Sequence, residues 1–238
     1  MIDAATFANS YNAFWHAYTP TCEHFVRRLN LSGLTRFAPP MINSGTSKRR
    51  ALIAEYAFSI FVEQATRASG KEKLEVGESV EDAAWRAAEV RLRPYAYEGL
   101  ELNREFDEEE NREIVEISTR LYRCFSDPDR LAVFRPIFSG CGFVDASEGD
   151  VIFDRTIYEI KTVDRPFRSA DVRQALTYSA LNFSSEQFTI ENVGLFNPRR
   201  GQFCKMELTD VCSEISGRPA QELLAIIIQT ISSAGISR

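Results

Sequence analysis

Along this chain the spacing of apolar residues switches from helical to alternating near residue 135. Residues 4–18 are rich in aromatics and free of glycine and proline, which predicts a first helix. The next is expected to begin at Thr46 as N-cap, with Lys48, Arg49 and Arg50 in its first turns. Its apolar residues Leu52, Ile53, Tyr56, Ala57, Ile60 and Phe61 recur at helical spacing. Cations at a helix start oppose the dipole, so the basic cluster reads either as solvated surface or as a group kept for a use. A third helix is predicted over 80–92, stopping ahead of Pro94. Asp107, Glu108, Glu109 and Glu110 suit the positive end of a fourth, which runs through Ile114, Ile117, Leu121 and Phe125 to Asp127-Pro128-Asp129.

Beyond that point short strands are predicted over 136–143, 150–153, 156–163, 188–196 and 202–208, around one helix at 169–183. Ser169 is the expected cap of that helix. Val172, Leu176, Ser179 and Phe183 form its sheet-facing side, with Gln174, Tyr178 and Leu181 roughly opposite. A last helix starts at Pro219, and Leu223, Leu224, Ile226, Ile227, Ile228 and Ile231 cover too much of it for a surface helix. It is expected to be buried or to form a homo-oligomer interface. The pattern gives a mostly helical region over 1–135 and an α/β (α+β) core over 136–238, with a mixed sheet flanked by helices.

Composition narrows the chemistry. The 238 residues suffice for one domain, or a core plus a helical subdomain. No stretch approaches the roughly 18 apolar residues of a membrane span. Residues 1–7 lack the features of a signal peptide, so a cytoplasmic address with no membrane association is the expectation. The five cysteines are odd in number and scattered, unlike zinc or disulfide frameworks. His16 and His24 are the only histidines, and their aromatic neighbours suit packing at a helix surface. Catalysis, if present, falls to carboxylates and lysine. The net charge of −6 speaks mildly against simple electrostatic capture of nucleic acid, but residues 1–75 carry nine cations against six acids. The acidity is concentrated over 76–135, with nine cations against fifteen acids, and need not face a substrate.

The decisive segment is 149–163. Two strands flank the polar pair Asp154-Arg155, and a symmetrical hairpin there sets Phe153 opposite Thr156, Ile152 opposite Ile157, Val151 opposite Tyr158 and Asp150 opposite Glu159. Opposed carboxylates repel, and a divalent cation between them removes that fault. Lys161, two residues on from Glu159, shares its face, while Ile160 points to the other side and is expected to be buried. Such a cation can polarise a phosphoryl oxygen, and an ammonium beside it can orient or deprotonate the attacking water and stabilise developing charge. The plain alternative is an idle, solvated salt bridge at a strand edge.

Asp150, nine positions ahead of the triplet Glu159-Ile160-Lys161, resembles the PD-(D/E)XK nuclease signature. Gln174 and Tyr178 on the following helix are similar to the Gln and Tyr, four residues apart, of RecB-like members. The resemblance implies a restriction-endonuclease-like core. It implies Asp150, Glu159, Lys161 and Gln174 as the catalytic set, and Asp150, Glu159 and Ile160 at the metal, Mg²⁺ or Mn²⁺. Asp150 follows Gly149 rather than proline; a literal Pro128-Asp129 lies at a helix end, one strand further away. No histidine stands where RecB-like nucleases often place one, which leaves Glu55 and Glu63 as candidate supplementary acids. Tyr178 is a candidate for base stacking or for packing. Arg165, Arg168, Arg199 and Arg200, on loops near the hairpin, suit phosphate contacts. The implied substrate is nucleic acid, DNA first, with target selection by the helical region or a partner protein, and a restriction, repair or phage-defence setting by analogy. The rival expectations are a non-catalytic member of the fold that binds nucleic acid, and an assembly subunit built on the last helix.

Overall fold

A computed structural model describes residues 1–41, 49–70, 78–96 and 100–233. The chain forms two compact units. One joins Met1–Pro39 to Leu131–Arg238, and the other is Pro40–Arg130. The division therefore does not fall at 135/136: the first 39 residues belong with the sheet. The N-terminal helices α1 (Ala4–Ser10), α2 (Asn12–Tyr18) and α3 (Cys22–Arg28) put Phe7, Trp15, Phe25 and Val26 into the same apolar core as Ile157, Leu176 and Ile227. Backbone and side chain secure them there. Asp145 N–H donates to the Ile2 carbonyl at 2.8 Å, and Ala4 N–H to Ser147 Oγ at 3.0 Å. The predicted helix over 4–18 is broken at Tyr11, which leaves helical geometry. The indole of Trp15 then donates to the Phe7 carbonyl at 3.0 Å, and both rings are buried.

The helical unit holds α4 (Arg50–Ser69), α5 (Val80–Ala96) and α6 (Glu108–Phe125). The expected N-cap Thr46 and the cation Lys48 lie outside the described residues. Arg49 precedes α4 and pairs with Glu110 at 2.9 Å while lying over the Phe106 ring, so this cation ties the start of α6 in place. Helix α5 does not stop ahead of Pro94 but includes it. In the last turn the ring costs few ladder bonds. The acidic run opens α6 as expected, with Asp107 and Glu110 closing a reciprocal capping box.

The other unit is built on a six-stranded mixed sheet. Its strands are β1 (Thr35–Arg36), β2 (Ala132–Phe134), β5 (Val151–Phe153), β6 (Thr156–Ile160), β7 (Asn192–Asn197) and β8 (Gln202–Glu207), in the order β1-β8-β7-β6-β5-β2. Strands β3 (Ile137–Phe138) and β4 (Ser147–Glu148) form a separate pair in place of one strand over 136–143. Only β6 and β7 run parallel among the paired strands of the large sheet, joined by the crossover helix α7 (Ser169–Ser185). Residues 188–190 do not extend β7, because the Asn182 side chain takes both the N–H and the carbonyl of Phe188 at 2.8 Å each. Two helices follow: α8 (Leu208–Ser216), which the sequence reading missed, and α9 (Ala220–Ser233). On α9, Leu223, Leu224, Ile227 and Ile231 are buried within the unit, while Ile226 and Ile228 are half-buried. No helix among the described residues is long and apolar enough to cross a membrane.

Helix α7 is buried on nearly all sides, not two-faced: Val172, Gln174, Leu176, Tyr178 and Leu181 are all inside, and Phe183 of the predicted sheet face is exposed. Arg168, not Ser169, is its N-cap.

Candidate active site

The hairpin β5–β6 closes through Asp154 and Arg155, both at positive φ, the backbone that two-residue turns of this twist require. Its register matches the expected one for Val151 with Tyr158, Ile152 with Ile157 and Phe153 with Thr156. The ladder ends there, so Asp150 and Glu159 are not paired through the backbone. The Asp150 carbonyl instead accepts from Arg135 N–H at 2.8 Å, and its carboxylate Oδ2 accepts from Ile160 N–H at 2.6 Å. Asp150 thus caps the end of β6 with its side chain, and its charge acts on Glu159 next to that bond. Ile160 is half-buried rather than buried, and in this cap its role is played by the backbone.

Glu159 is only 3% exposed, so the idle solvated salt bridge does not describe it. Its Oε1 lies 2.6 Å from Lys161 Nζ, and its Oε2 has no hydrogen-bond partner. Burial, and then the Asp150 charge, push the Glu159 carboxyl up to about 8, against the opposing pull of Lys161. Burial works against the Lys161 charge too, but Glu159, Asp171 and Asp150 outweigh it and raise its pKa. The ammonium is positioned by a chain of contacts. Lys161 Nζ donates to Gln174 Oε1 at 3.0 Å, Gln174 Nε2 donates to Tyr178 OH at 2.9 Å, and Tyr178 OH donates to the Glu148 carbonyl at 2.9 Å. The Tyr178 ring stacks on Phe138 with centroids 5.2 Å apart. Tyr178 is therefore a buried strut; its ring is already covered and does not stack on a base.

Asp171 belongs to this group although it is not among the candidate residues read from the sequence. It is buried, accepts from both Arg165 terminal nitrogens at 2.7 and 3.0 Å, accepts from Arg168 N–H at 2.8 Å, and lies 3.8 Å from Lys161 Nζ. The signal for it was present: Asp171, Gln174 and Tyr178 stand at i, i+3 and i+7, one face of a helix.

The four loop arginines do not form one group of phosphate contacts. Arg165 is locked to Asp171, whose carboxylate raises its pKa against the effect of burial. Arg200 reaches Asp164 at 3.2 Å, and Arg199 is only 5% exposed, so it cannot be offered to solvent. Arg168 alone of the four has an exposed side chain. Glu55 and Glu63 lie on α4 in the helical unit, 3.7 Å from Arg91 and 3.8 Å from Arg67, the ion pairing that is the ordinary alternative to a supplementary acid. Among the described residues no cluster of three acids, histidines or cysteines is placed to hold a metal. Any ion here would rest on Asp150 and Glu159, with further ligands from water or backbone. In comparisons with known proteins, no family model and no curated sequence matches the chain.

Proposed function

We propose that this protein is a metal-dependent nuclease that hydrolyses phosphodiester bonds, DNA first, on a PD-(D/E)XK-type core. The observation that carries the reading is Glu159: a buried carboxyl beside a second acid, with one oxygen on an ammonium and the other unpartnered. A buried carboxylate oxygen without a partner is costly, and such exceptions cluster at functional sites. A divalent cation would supply the partner. Mg²⁺ commonly rests on one or two carboxylates and retains several waters, so the donor set of Asp150 and Glu159 is adequate. When bound, Mg²⁺ or Mn²⁺ polarises a phosphoryl oxygen and lowers the pKa of an attacking water.

The chain's own residues have divided tasks. Asp150 and Glu159 would hold the ion. Lys161, fixed by Glu159 and Gln174, orients the water and offsets the charge that develops on the phosphate. Gln174 is in turn fixed by Tyr178. The run of hairpin, crossover helix and parallel strand is compatible with the family resemblance. The assembly-subunit alternative loses its motive, because the apolar side of α9 is buried within its own unit. A non-catalytic relative would not need an ammonium held beside an acid pair. Selection of a target, by the helical unit or a partner protein, and a restriction, repair or phage-defence setting remain part of the proposal by analogy.

The test is cleavage of linear, circular and single-stranded DNA and of RNA, each with Mg²⁺, with Mn²⁺ and in chelator. Metal-dependent cleavage lost in Asp150→Asn supports the reading. A folded wild-type protein that cuts none of them with either metal refutes it.

A further inference from the structure

A cleft of about 380 Å³ lies between α3 and the start of α7, and its lining does not include the hairpin acids. Its charged lining is three arginines, Arg27, Arg168 and Arg173, against one acid, Glu23. A second cleft, about 570 Å³ beside the β5–β6 turn, has the reverse balance, with Asp154, Glu191 and Glu207 against Arg155 and Lys205. Of these two, only the first has a lining dominated by cations.

Arg173 is the unusual member. Its side chain is 5% exposed, yet its Nε has no hydrogen-bond partner. Its bond to Asn12 Oδ1 is long at 3.5 Å, and its nearest carboxylate, Glu23, is 3.7 Å away on a largely exposed side chain. Arg173 also lies by the Trp15 ring, 5.8 Å from the guanidinium carbon to the centroid, and hydrogen-bonds the Cys22 thiol. Burial pushes that thiol up to about 11, so it supplies no negative charge near neutral pH. A guanidinium has five donors, and buried cations are ordinarily met by close, hydrogen-bonded anions. This one is not. At the mouth of the cleft Arg27 and Arg168 are exposed, and the first residues of the 17-residue helix α7, Ser169 and Ala170, stand in the wall, where the helix dipole favours an anion.

We propose that this cleft binds a phosphate dianion, free or as a monoester. Three guanidinium groups against one carboxylate match a group carrying about −1.5 to −2 at pH 7 better than a singly charged diester or carboxylate. Planar guanidinium forks also suit phosphate oxygens. The dianion is either free phosphate or the terminal monoester of a nucleic-acid strand; the second source rests on the nuclease reading, the first does not.

The experiment uses the whole chain in chelator, so that no cleavage occurs. Thermal melting is followed in inorganic phosphate and in chloride at equal ionic strength. Binding of a short single-stranded oligonucleotide is then measured with a terminal phosphate and with a terminal hydroxyl. Phosphate is expected to raise the melting temperature beyond chloride, and exposed Arg27→Ala to weaken that response about tenfold, as loss of one charge-assisted contact does. Arg173→Lys, which keeps the charge but not the fork, should weaken it as well. A preference for the phosphorylated oligonucleotide, lost in Arg27→Ala, assigns the strand end; a response to inorganic phosphate alone assigns the free ion. No difference between phosphate and chloride, together with equal binding of both oligonucleotides, overturns the site. So does a phosphate response unchanged in Arg27→Ala and Arg173→Lys. Because cleavage enters none of these readings, an inactive protein that binds phosphate here would end the nuclease reading and leave the cleft standing.

Discussion

Glu159 is the residue at which folding and function oppose each other. Its folded pKa of about 8 lies above the ordinary carboxyl value of 4.5. Between those values the folded protein keeps a proton that the unfolded chain has released, so stability falls as pH rises through the window. Metal-free protein should lose up to about 1.4 kcal/mol for each pH unit there, and Glu159→Gln should flatten the slope. Denaturant midpoints in chelator across that range would test this, and equal slopes in both proteins would rule out Glu159 as the source. Lys161→Ala tests the neighbouring charge. Loss of the ammonium should reduce cleavage by roughly 10²–10³-fold, the effect of deleting a group aimed at developing charge. The stability cost at neutral pH should stay near about 1–2 kcal/mol, because Glu159 already holds its proton for the most part there and is not left charged and buried. Undiminished cleavage by well-folded Lys161→Ala would remove it from the mechanism. The triplet was legible in the sequence because alternation along a strand puts Glu159 and Lys161 on one face. The strut role of Tyr178 was not, since it depends on Phe138 and the Glu148 carbonyl, which only tertiary structure brings to it.

At the scale of elements, the strand carrying the site is fixed from its other face. Gly194 on β7 pairs with Tyr158 on β6, and a Cβ at Gly194 would stand 2.2 Å from the Tyr158 ring. The glycine is there because the ring occupies the place of its side chain. Gly194→Ala should therefore destabilise by about 1–3 kcal/mol through overpacking and disturb β6 next to Glu159. In a Tyr158→Val background the same change should cost much less. A double-mutant cycle on melting or urea unfolding measures the difference, and additive costs would mean that the ring is not the obstacle. The elements that the sequence made legible carry their signals locally. Helix α6 has its acidic cap box, and the β5–β6 hairpin has two short apolar runs flanking a polar turn. Helix α8 was hidden because it follows β8 with no intervening turn, although Leu208, Val211, Cys212 and Ile215 hold helical spacing. The false strand at 188–190 fails for a reason that sequence cannot display: its backbone is taken by the Asn182 side chain.

For the whole molecule, the consequential finding is that the sheet-bearing unit is assembled from two ends of the chain, with residues 40–130 set between them in sequence. Hydrophobic period alone placed the boundary at 135/136, because period reports the type of an element and not the core it joins. Burial reports the core. Phe7, Trp15, Phe25, Val26 and Leu29 are all buried in the cluster that includes Val172, Leu176 and Leu223. Fully burying each large apolar side chain is worth about 1.5–3 kcal/mol. Five of them together rival the roughly 5–15 kcal/mol by which a whole domain is stable. A fragment beginning at residue 131 should therefore contain every strand of the hairpin site and still not fold. It would leave the side of α7 that packs on α1 and α3 without cover, and Asp145 N–H without the Ile2 carbonyl. The expected product is a collapsed species with helical far-ultraviolet circular dichroism, bound hydrophobic dye and no cooperative melt. A chain joining residues 1–39 to 131–238 through a short flexible linker restores that cover and should melt cooperatively. Comparing the two separates the N-terminal helices from mere chain length as the cause. A cooperative transition in the fragment from 131 would show that the first 39 residues only decorate a core that is already complete.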